Sequence, residues 1–239
     1  REKIGEVYFP WVGQASGRAA LGGSRGMRDW TSQQRLEEEL GELRGLGLKL
    51  NLLFNSNCYG GRAVSTHLEN EVRSIVEHLG ECVGGVESIT TTSLAIARTI
   101  KRHFPSIEVR ASVNMRIGTP EAMALVSGLF DGYYLQRDVQ RQLDRVRAAK
   151  AWCEEHGKKL YLLANSGCLT HCPGQTFHDN MVAHDAEIDE HKNIPEWTPF
   201  VCWSNYRNEE ARPAILQSTW IRPEDVHHYE GLADGMKLA

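Results

Sequence analysis

The sequence predicts an α/β fold, a parallel (β/α)8 barrel of the TIM type that occupies residues 1–239 as a single domain. Short β-branched and apolar runs alternate with longer segments of helical period, which is typical of βα units around a parallel sheet. Eight apolar runs can be counted, and 239 residues is an ordinary length for one barrel. The composition, 41% apolar and 24% charged, is that of a folded globular protein.

The first half of the chain contains four predicted strands separated by helices. The strands are predicted at Ile4–Phe9, Leu48–Phe54, Gly85–Thr90 and Glu108–Val113. Apolar residues that recur with a helical period predict helices near Ser32–Arg44, Leu68–Leu79 and Ser93–His103. Pro105 follows the third of these helices, where a proline ends a helix before the next strand.

The second half continues the alternation. Thr119, Pro120 and Glu121 supply an N-cap, a first-turn proline and a first-turn acid, so a helix is predicted as far as Ser127. The longest predicted helix is Val139–His156, and Gly157 suits its C-terminal end. Strands are predicted at Asp131–Leu135, Lys159–Ala164, Ala214–Thr219 and Gly235–Ala239, with a helix at Arg222–Tyr229.

A long irregular segment, about 165–213, separates the sixth and seventh predicted strands. It is polar and aromatic, and loops of this length are usually functional when they are ordered. The eighth predicted strand ends at Ala239, where the last helix of a barrel should begin. We therefore expect the barrel to be incomplete at its C-terminus, with that helix missing and an extension to follow.

Charge and cysteine content narrow the functional classes. The formal net charge is −4, which gives no global basic field for nucleic acid, although a local patch remains open. No apolar stretch is long enough to span a bilayer. A cytoplasmic, reducing setting is therefore expected, in which the six cysteines are thiols, ligands or core residues rather than a disulfide framework.

The cysteines are sorted by their positions relative to the predicted strands. Active sites of parallel barrels lie at the carboxyl ends of the strands. Cys58 follows strand two, Cys168 and Cys172 follow strand six, and Cys202 lies late in the long segment, so all four can reach that face. Cys82 and Cys153 are predicted to lie elsewhere, at the opposite face and within a helix.

The short spacing of Cys168 and Cys172 predicts a metal-ligating loop. Thiolates hold iron–sulfur clusters and zinc, and three intervening residues keep two sulfurs near one centre. His178 lies nearby and offers an alternative ligand, so that Cys168, Cys172, Cys202 and His178 would suit tetrahedral zinc or a mononuclear iron. Two loop thiols without any ligand are the other interpretation.

Other polar residues follow neighbouring strands and are candidate catalytic groups. Asn114 follows the fourth strand, whereas Arg137 and Asp138 follow the fifth. Together with His178 they complete the set of catalytic candidates. Salt bridges that support the barrel rim would account equally well for Arg137 and Asp138.

Several motifs together resemble a known family. They are Ala111–Met115, Tyr134–Asp138, the cysteine pair after strand six and Ile221–Tyr229, in this order and spacing. The chain resembles the peptidase U32 (collagenase-like) family, which includes RNA-hydroxylation proteins and anaerobic ubiquinone-hydroxylation proteins. The resemblance implies a barrel with a 4Fe-4S cluster held by Cys168, Cys172, Cys202 and Cys58, and a hydroxylation or related modification of RNA or a small aromatic substrate.

Three functions therefore stand as hypotheses. The leading one is an iron–sulfur-dependent modification enzyme of this family, which would work with a redox partner. The second is a zinc or non-haem-iron hydrolase that uses His178, although the chain has neither the zinc-protease helix motif nor a recognisable nucleophile motif. The third is a non-enzymatic barrel with structural cysteines that binds RNA or protein. The sequence predicts neither the oligomeric state nor the exact substrate.

Overall fold

A computed structural model describes residues 4–17, 29–184, 194 and 200–239. The strands in those parts of the chain are β1 (Glu6–Pro10), β2 (Lys49–Phe54), β3 (Ser88–Thr91), β4 (Glu108–Ala111), β5 (Gly132–Tyr134), β6 (Lys159–Leu163) and β7 (Gly235–Lys237). The α-helices are α1 (Trp30–Gly45), α2 (Thr66–Val83), α3 (Leu94–His103), α4 (Pro120–Leu125), α5 (Leu143–Glu155), α6 (Gln175–Ala183) and α7 (Val201–Arg207). Short 3₁₀ helices occur at Gly60–Arg62, Val113–Met115, Arg137–Val139, Glu209–Gln217 and Pro223–Tyr229.

The chain divides into two compact units. The first contains Arg1–Arg110 and Asp179–Ile188, and the second contains Ala111–His178 and Asp189–Ala239. In the first unit β1, β2 and β3 are parallel neighbours in sequence order, and the backbone of Glu108 at the start of β4 bonds to Glu87 before β3. In the second unit β5, β6 and β7 are parallel and again follow sequence order.

Helix starts in the first unit follow from side-chain caps. Asp29, Ser65 and Ser93 each accept a hydrogen bond from a backbone N–H three residues later, which satisfies a donor that the first turn leaves open. Helix α2 ends at Gly84, whose φ of 75° favours glycine. The capped helices pack apolar faces inward, and Leu40 of α1 and Leu79 of α2 are almost completely buried.

A polar network occupies the interior of the first unit. Arg110 is buried and bonds through Nη1 to Oε1 of Glu6 at 2.6 Å and through Nε to Oε1 of Glu108 at 2.7 Å. The Glu6 carboxylate also accepts hydrogen bonds from Asn51 and Ser88, at 3.0 and 3.1 Å. Side chains of β1, β2, β3 and β4 are thereby joined by charge-assisted hydrogen bonds.

The second unit packs α5 beside β6. Val146, Ala149 and Cys153 of α5 are fully buried. Asp234, just before β7, accepts hydrogen bonds from the Leu160 backbone at 2.8 Å and from Lys150 at 2.9 Å, so β7 is fixed to both β6 and α5.

Seven of the eight predicted strands are present, with boundaries that differ by a few residues. The prediction of a strand at Ala214–Thr219 was wrong, because most of this segment belongs to a 3₁₀ helix that contains Pro213. Ile215 and Leu216 are exposed instead of alternating into a core, and the carbonyl of Leu216 accepts a hydrogen bond from Arg141 at 3.0 Å. The last predicted strand, observed as β7, is therefore the seventh in order, beside β6.

Two other predictions needed correction. The helix predicted at Arg222–Tyr229 is a 3₁₀ helix, Pro223–Tyr229. The segment 165–213 is not irregular throughout, because it contains α6, α7 and part of a 3₁₀ helix, while residues 185–193 and 195–199 lie outside the described residues. The parallel strands in sequence order are consistent with the TIM-type barrel, but with seven strands in the described residues rather than eight. That residues 1–239 form a single domain stays a prediction.

The helices of the described residues were also compared with the length of a membrane span. Among them, no helix is both long enough and apolar enough to cross a lipid bilayer.

Substituting Arg110 with methionine should lower the free energy of unfolding by about 3–5 kcal/mol, because it leaves the partly buried carboxylates of Glu6 and Glu108 without their buried cation. Urea unfolding followed by circular dichroism measures this change. Arg35→Met is the matched control, since its ion pair with Glu39 is exposed and should contribute less than about 1 kcal/mol. Equal losses in the two variants would contradict the structural role of the Arg110 network.

Candidate metal centre

The loop after β6 is held in place by hydrogen bonds of its backbone. The Thr219 N–H donates to the Cys168 carbonyl at 2.9 Å, and the Ile221 N–H donates to the Ala164 carbonyl at 2.6 Å. Gln140 is fully buried, and its Nε2 donates both to the Leu163 carbonyl at 2.9 Å and to the Thr219 carbonyl. Because buried backbone carbonyls need donors, this amide fixes where the cysteine loop leaves β6.

Cys172 adjoins the beginning of two helices. The Gln175 N–H donates to the Cys172 carbonyl at 3.2 Å at the entry to α6. A Cβ added at Gly174 would lie 3.9 Å from the Cys172 sulfur and 2.5 Å from Cγ2 of Val201, the first residue of α7. Cys202 is the next residue of α7, so the missing side chain at Gly174 lets the two cysteine-bearing segments approach each other.

The electrostatics of this region agree with that proximity. Burial, and then the charges of Cys168 and Cys172, raise the pKa of the Cys202 thiol. The pKa of Tyr206 is raised by burial and by the same three cysteines. Three of the four predicted ligands therefore lie in one neighbourhood of the second unit, each of them half-buried.

The sulfur positions bear on which metal the loop could hold. Within the described residues, Cys168, Cys172 and Cys202 do not form a set of ligand atoms that all lie within 4.8 Å of one another. A mononuclear zinc needs its ligands tightly gathered at about 2.3 Å from one ion, whereas each cysteine of a cluster binds a different iron. The three cysteines supply soft thiolate donors, of the kind that both iron–sulfur clusters and zinc take as ligands.

The other predicted ligands have different surroundings. Cys58 belongs to the first unit, where its sulfur accepts a hydrogen bond from the Gly60 N–H at 3.3 Å, and its role as a ligand stays a prediction. The His178 ring contacts the Phe200 ring edge-on, with centroids 4.9 Å apart, next to the start of α7. His178 is thus in the same region as Cys202.

The two cysteines that the sequence excludes from the centre lie in helices. Cys153 is fully buried in α5, where burial raises the pKa of its thiol to about 11 and favours the neutral form. Cys82 is exposed on α2.

The candidate catalytic residues after β4 and β5 are brought together. Arg137 donates from Nη2 to Oδ1 of Asn114 at 2.7 Å. Its Nε and Nη1 are buried and have no hydrogen-bond partner in the described part of the chain. Two buried donors of a permanently charged guanidinium provide a ready site for an anionic group.

Asp138 connects this cluster to the cysteine loop. Its carboxylate accepts hydrogen bonds from the His171 N–H at 2.6 Å and from Gln136 at 2.8 Å. His171 lies between the two loop cysteines and has a φ of 54°, a left-handed conformation that is uncommon for a residue other than glycine. The hydrogen bond that the Asp138 carboxylate accepts from the His171 N–H therefore stabilises a strained turn of the loop. Asp138 positions that loop in addition to being a catalytic candidate.

Sequence reasoning missed two residues that shape this region. Gln140 lies only two positions beyond Asp138, yet nothing in the pattern showed that its amide would be buried. Gly174 follows the motif Cys172-Pro173, and a glycine directly after such a pair was a signal for a close approach that the sequence did offer.

Known proteins resemble the chain in sequence and in fold. No protein-family model matches the chain. A curated protein of Methanocaldococcus jannaschii, named "uncharacterized protease MJ1657", is 24% identical over 208 residues. The alignment covers 80% of this chain and 55% of the relative, so the chain spans about half the length of the curated protein it matches.

Solved structures resemble the chain in fold. The structure of the U32 peptidase Mk0906 matches with a TM-score of 0.65 and 16% identity, over 98% of this chain and 83% of that chain. A glycerophosphodiester phosphodiesterase from Parabacteroides distasonis matches 64% of this chain and 57% of its own, at 15% identity and a TM-score of 0.41, which is too low to support an argument.

The fold and the loop together define a parallel α/β protein of barrel type with cysteines beyond its sixth strand. The chain has the fold of the U32 peptidase and a curated relative that is named a protease, so the resemblance predicted from the motifs is confirmed at the level of the fold.

Gly174→Ala should destabilise the contact between the cysteine loop and α7, because the new Cβ would overlap Val201 at 2.5 Å. Overpacking at a half-exposed valine should cost about 1 kcal/mol. Urea unfolding measures the cost, and the rate at which a thiol reagent modifies Cys202 reports the movement of α7. Gly167→Ala is the matched control, since nothing lies within 4 Å of its added Cβ. If both variants behave alike, the close approach at Gly174 does not constrain the loop.

Proposed function

We propose that the protein is an iron–sulfur enzyme of the U32 type in which Cys168, Cys172 and Cys202 hold a 4Fe-4S cluster. The observation that carries this proposal is that the Cys172 sulfur and the start of α7, which carries Cys202, both lie against Gly174, and that the charges of Cys168 and Cys172 act on the Cys202 thiol. Cys58 is the proposed fourth ligand, on the strength of the family resemblance. The cluster would supply electron transfer or, if one iron is open, direct chemistry.

The chemistry of the donors supports an iron–sulfur cluster in particular. Thiolates are soft ligands of the kind that hold iron–sulfur clusters, and three of them lie in one neighbourhood of the second unit. Tyr206 lies close enough for the cysteines to raise the pKa of its phenol. Its hydroxyl is buried without a hydrogen-bond partner in the part of the chain that the structure describes, so it is a donor suited to a cluster sulfur.

The substrate of the proposed enzyme carries an anionic group that Arg137 binds. Nε and Nη1 of Arg137 are the buried donors without partners, and Asn114 holds the guanidinium in place through Nη2. Phosphate and carboxylate are the groups that match a guanidinium fork. RNA and a small aromatic acid both satisfy this requirement, which agrees with a hydroxylation or related modification of either substrate.

Protein purified without oxygen should be brown, absorb in the visible range, and contain iron and acid-labile sulfide. Cys168→Ser, Cys172→Ser and Cys202→Ser should each lose most of the iron, because each removes a thiolate ligand. Cys58→Ser tests the fourth ligand in the same way. Cys82→Ser is the matched control and should retain the iron, since Cys82 is an exposed residue of α2. A colourless sample without iron or sulfide would rule out the cluster.

A mononuclear metal hydrolase is the second candidate, and the position of His178 favours it. The His178 ring contacts Phe200 directly before the helix that carries Cys202. The curated relative is named a protease. Metal analysis distinguishes the two functions: one zinc or iron per chain, no sulfide, and loss of the metal in His178→Ala would support the hydrolase instead of the cluster enzyme.

Arg137→Gln should weaken binding of an RNA oligonucleotide roughly tenfold, because a charge-assisted hydrogen bond contributes about 1.5–3 kcal/mol. Fluorescence anisotropy at fixed salt measures the affinity. Arg145→Gln is the matched control, since Arg145 is exposed on α5 and the substitution changes the net charge equally. Unchanged RNA affinity in Arg137→Gln, together with weaker binding of a small aromatic carboxylate, would identify the smaller substrate. Unchanged affinity for both ligands would show that Arg137 does not bind the substrate.

A further inference from the structure

A second group of potential metal ligands lies in the first unit, between α1 and α2. Glu37 of α1 and His78 and Cys82 of α2 place one ligand atom each so that all three atoms lie within 4.8 Å of one another. Among the described residues this is the group of three or more histidine, cysteine and carboxylate side chains that meets that distance. None of the three residues takes part in the centre proposed after β6.

The local sequence explains why the group forms. His78 and Cys82 are four residues apart, so a helix presents both on one face. Glu37 reaches them from α1, with its Oε1 2.7 Å from Nε2 of His78. Gln33, one turn earlier on α1, donates to the same carboxylate at 2.8 Å.

The imidazole is also held from the opposite side. The Trp11 ring meets the His78 ring edge-on, with centroids 5.8 Å apart and an angle of 67° between the planes. The orientations of Glu37 and His78 are therefore restricted before any ion binds, and such outer contacts tune a metal site.

We propose that Glu37, His78 and Cys82 bind a divalent cation of the zinc type. One carboxylate, one imidazole and one thiolate are the borderline and soft donors that zinc combines in tetrahedral sites. The side chains of His78 and Glu37 are partly buried, at 40% and 22% exposure, which shields the ion from solvent while leaving it a path of entry.

The charges of the donors match a divalent cation. A Cys82 thiolate bound to the ion, together with the Glu37 carboxylate, would give the group two negative charges that such a cation neutralises.

Three protein ligands leave the fourth position of the ion open. His78 also lines a cavity of about 600 Å³, together with Trp11, Trp30, His67 and Glu71. A water or a small ligand from that cavity completes the coordination. This arrangement is that of open zinc sites rather than closed structural ones.

Equilibrium dialysis of the full chain against zinc ions, followed by elemental analysis, tests the proposal. The wild-type protein and Cys168→Ser should both bind zinc at this site. Cys82→Ser and His78→Gln should bind it at least roughly tenfold more weakly, since even outer-shell substitutions cost about that much. His156→Gln is the matched control, because His156 is an exposed histidine that lies outside both the group and the cavity. Cobalt bound in place of zinc should show thiolate charge-transfer absorption that disappears in Cys82→Ser.

The outcomes separate this site from the centre after β6. Zinc affinity that is unchanged in both Cys82→Ser and His78→Gln overturns the proposal. Zinc binding that is lost only in Cys168→Ser does so as well, and it assigns the zinc to the cysteine loop. A rise in melting temperature with zinc in wild type and in His156→Gln, but not in His78→Gln, supports the proposal through an independent measurement.

Discussion

The short turn after β5 organises the candidate metal centre. Three of its side chains bind four different segments: Arg137 bonds to Asn114, Asp138 bonds to His171, and the buried amide of Gln140 bonds to the carbonyls of Leu163 and Thr219. A buried carbonyl without a donor costs about 1–3 kcal/mol, so these contacts favour the observed conformation of the loop. The placement of Cys168 and Cys172 therefore depends on this turn as well as on the loop that carries them.

In the first unit, the polar side chains of the Arg110 network are paired with one another. Its strands are linked by the ion pairs of Arg110 with Glu6 and Glu108, and by the hydrogen bond from Asn51 to Glu6. A buried ion pair rarely adds net stability over a well-packed apolar alternative, but it penalises any register in which a partner is lost. Because a shift of one residue would turn Glu6 away from Arg110, the network favours one pairing of four parallel strands.

The sequence predicted those features that depend on local patterns. Seven strands follow from apolar runs, and the spacing of Cys168 and Cys172 identified the loop. The strand predicted at Ala214–Thr219 was wrong for two reasons. The prediction relied on apolar composition and did not weigh Pro213, and it could not foresee that the Leu216 carbonyl accepts a hydrogen bond from Arg141. The group formed by Glu37 and α2 was missed for another reason. Its spacing of four was visible in the sequence, but the contribution of α1 depends on how the helices pack, which no local pattern specifies.

The two proposed metal sites differ in ways that make them chemically selective. The proposed centre after β6 offers three thiolates, with the His178 imidazole in the same region, whereas the group between α1 and α2 offers oxygen, nitrogen and sulfur donors within 4.8 Å of one another. In the two proposals, a set of thiolates matches a cluster whose irons each take one sulfur, and compact mixed donors match a single borderline ion. Iron and zinc would then be bound by separate residues, so that loss of one metal need not affect the content of the other.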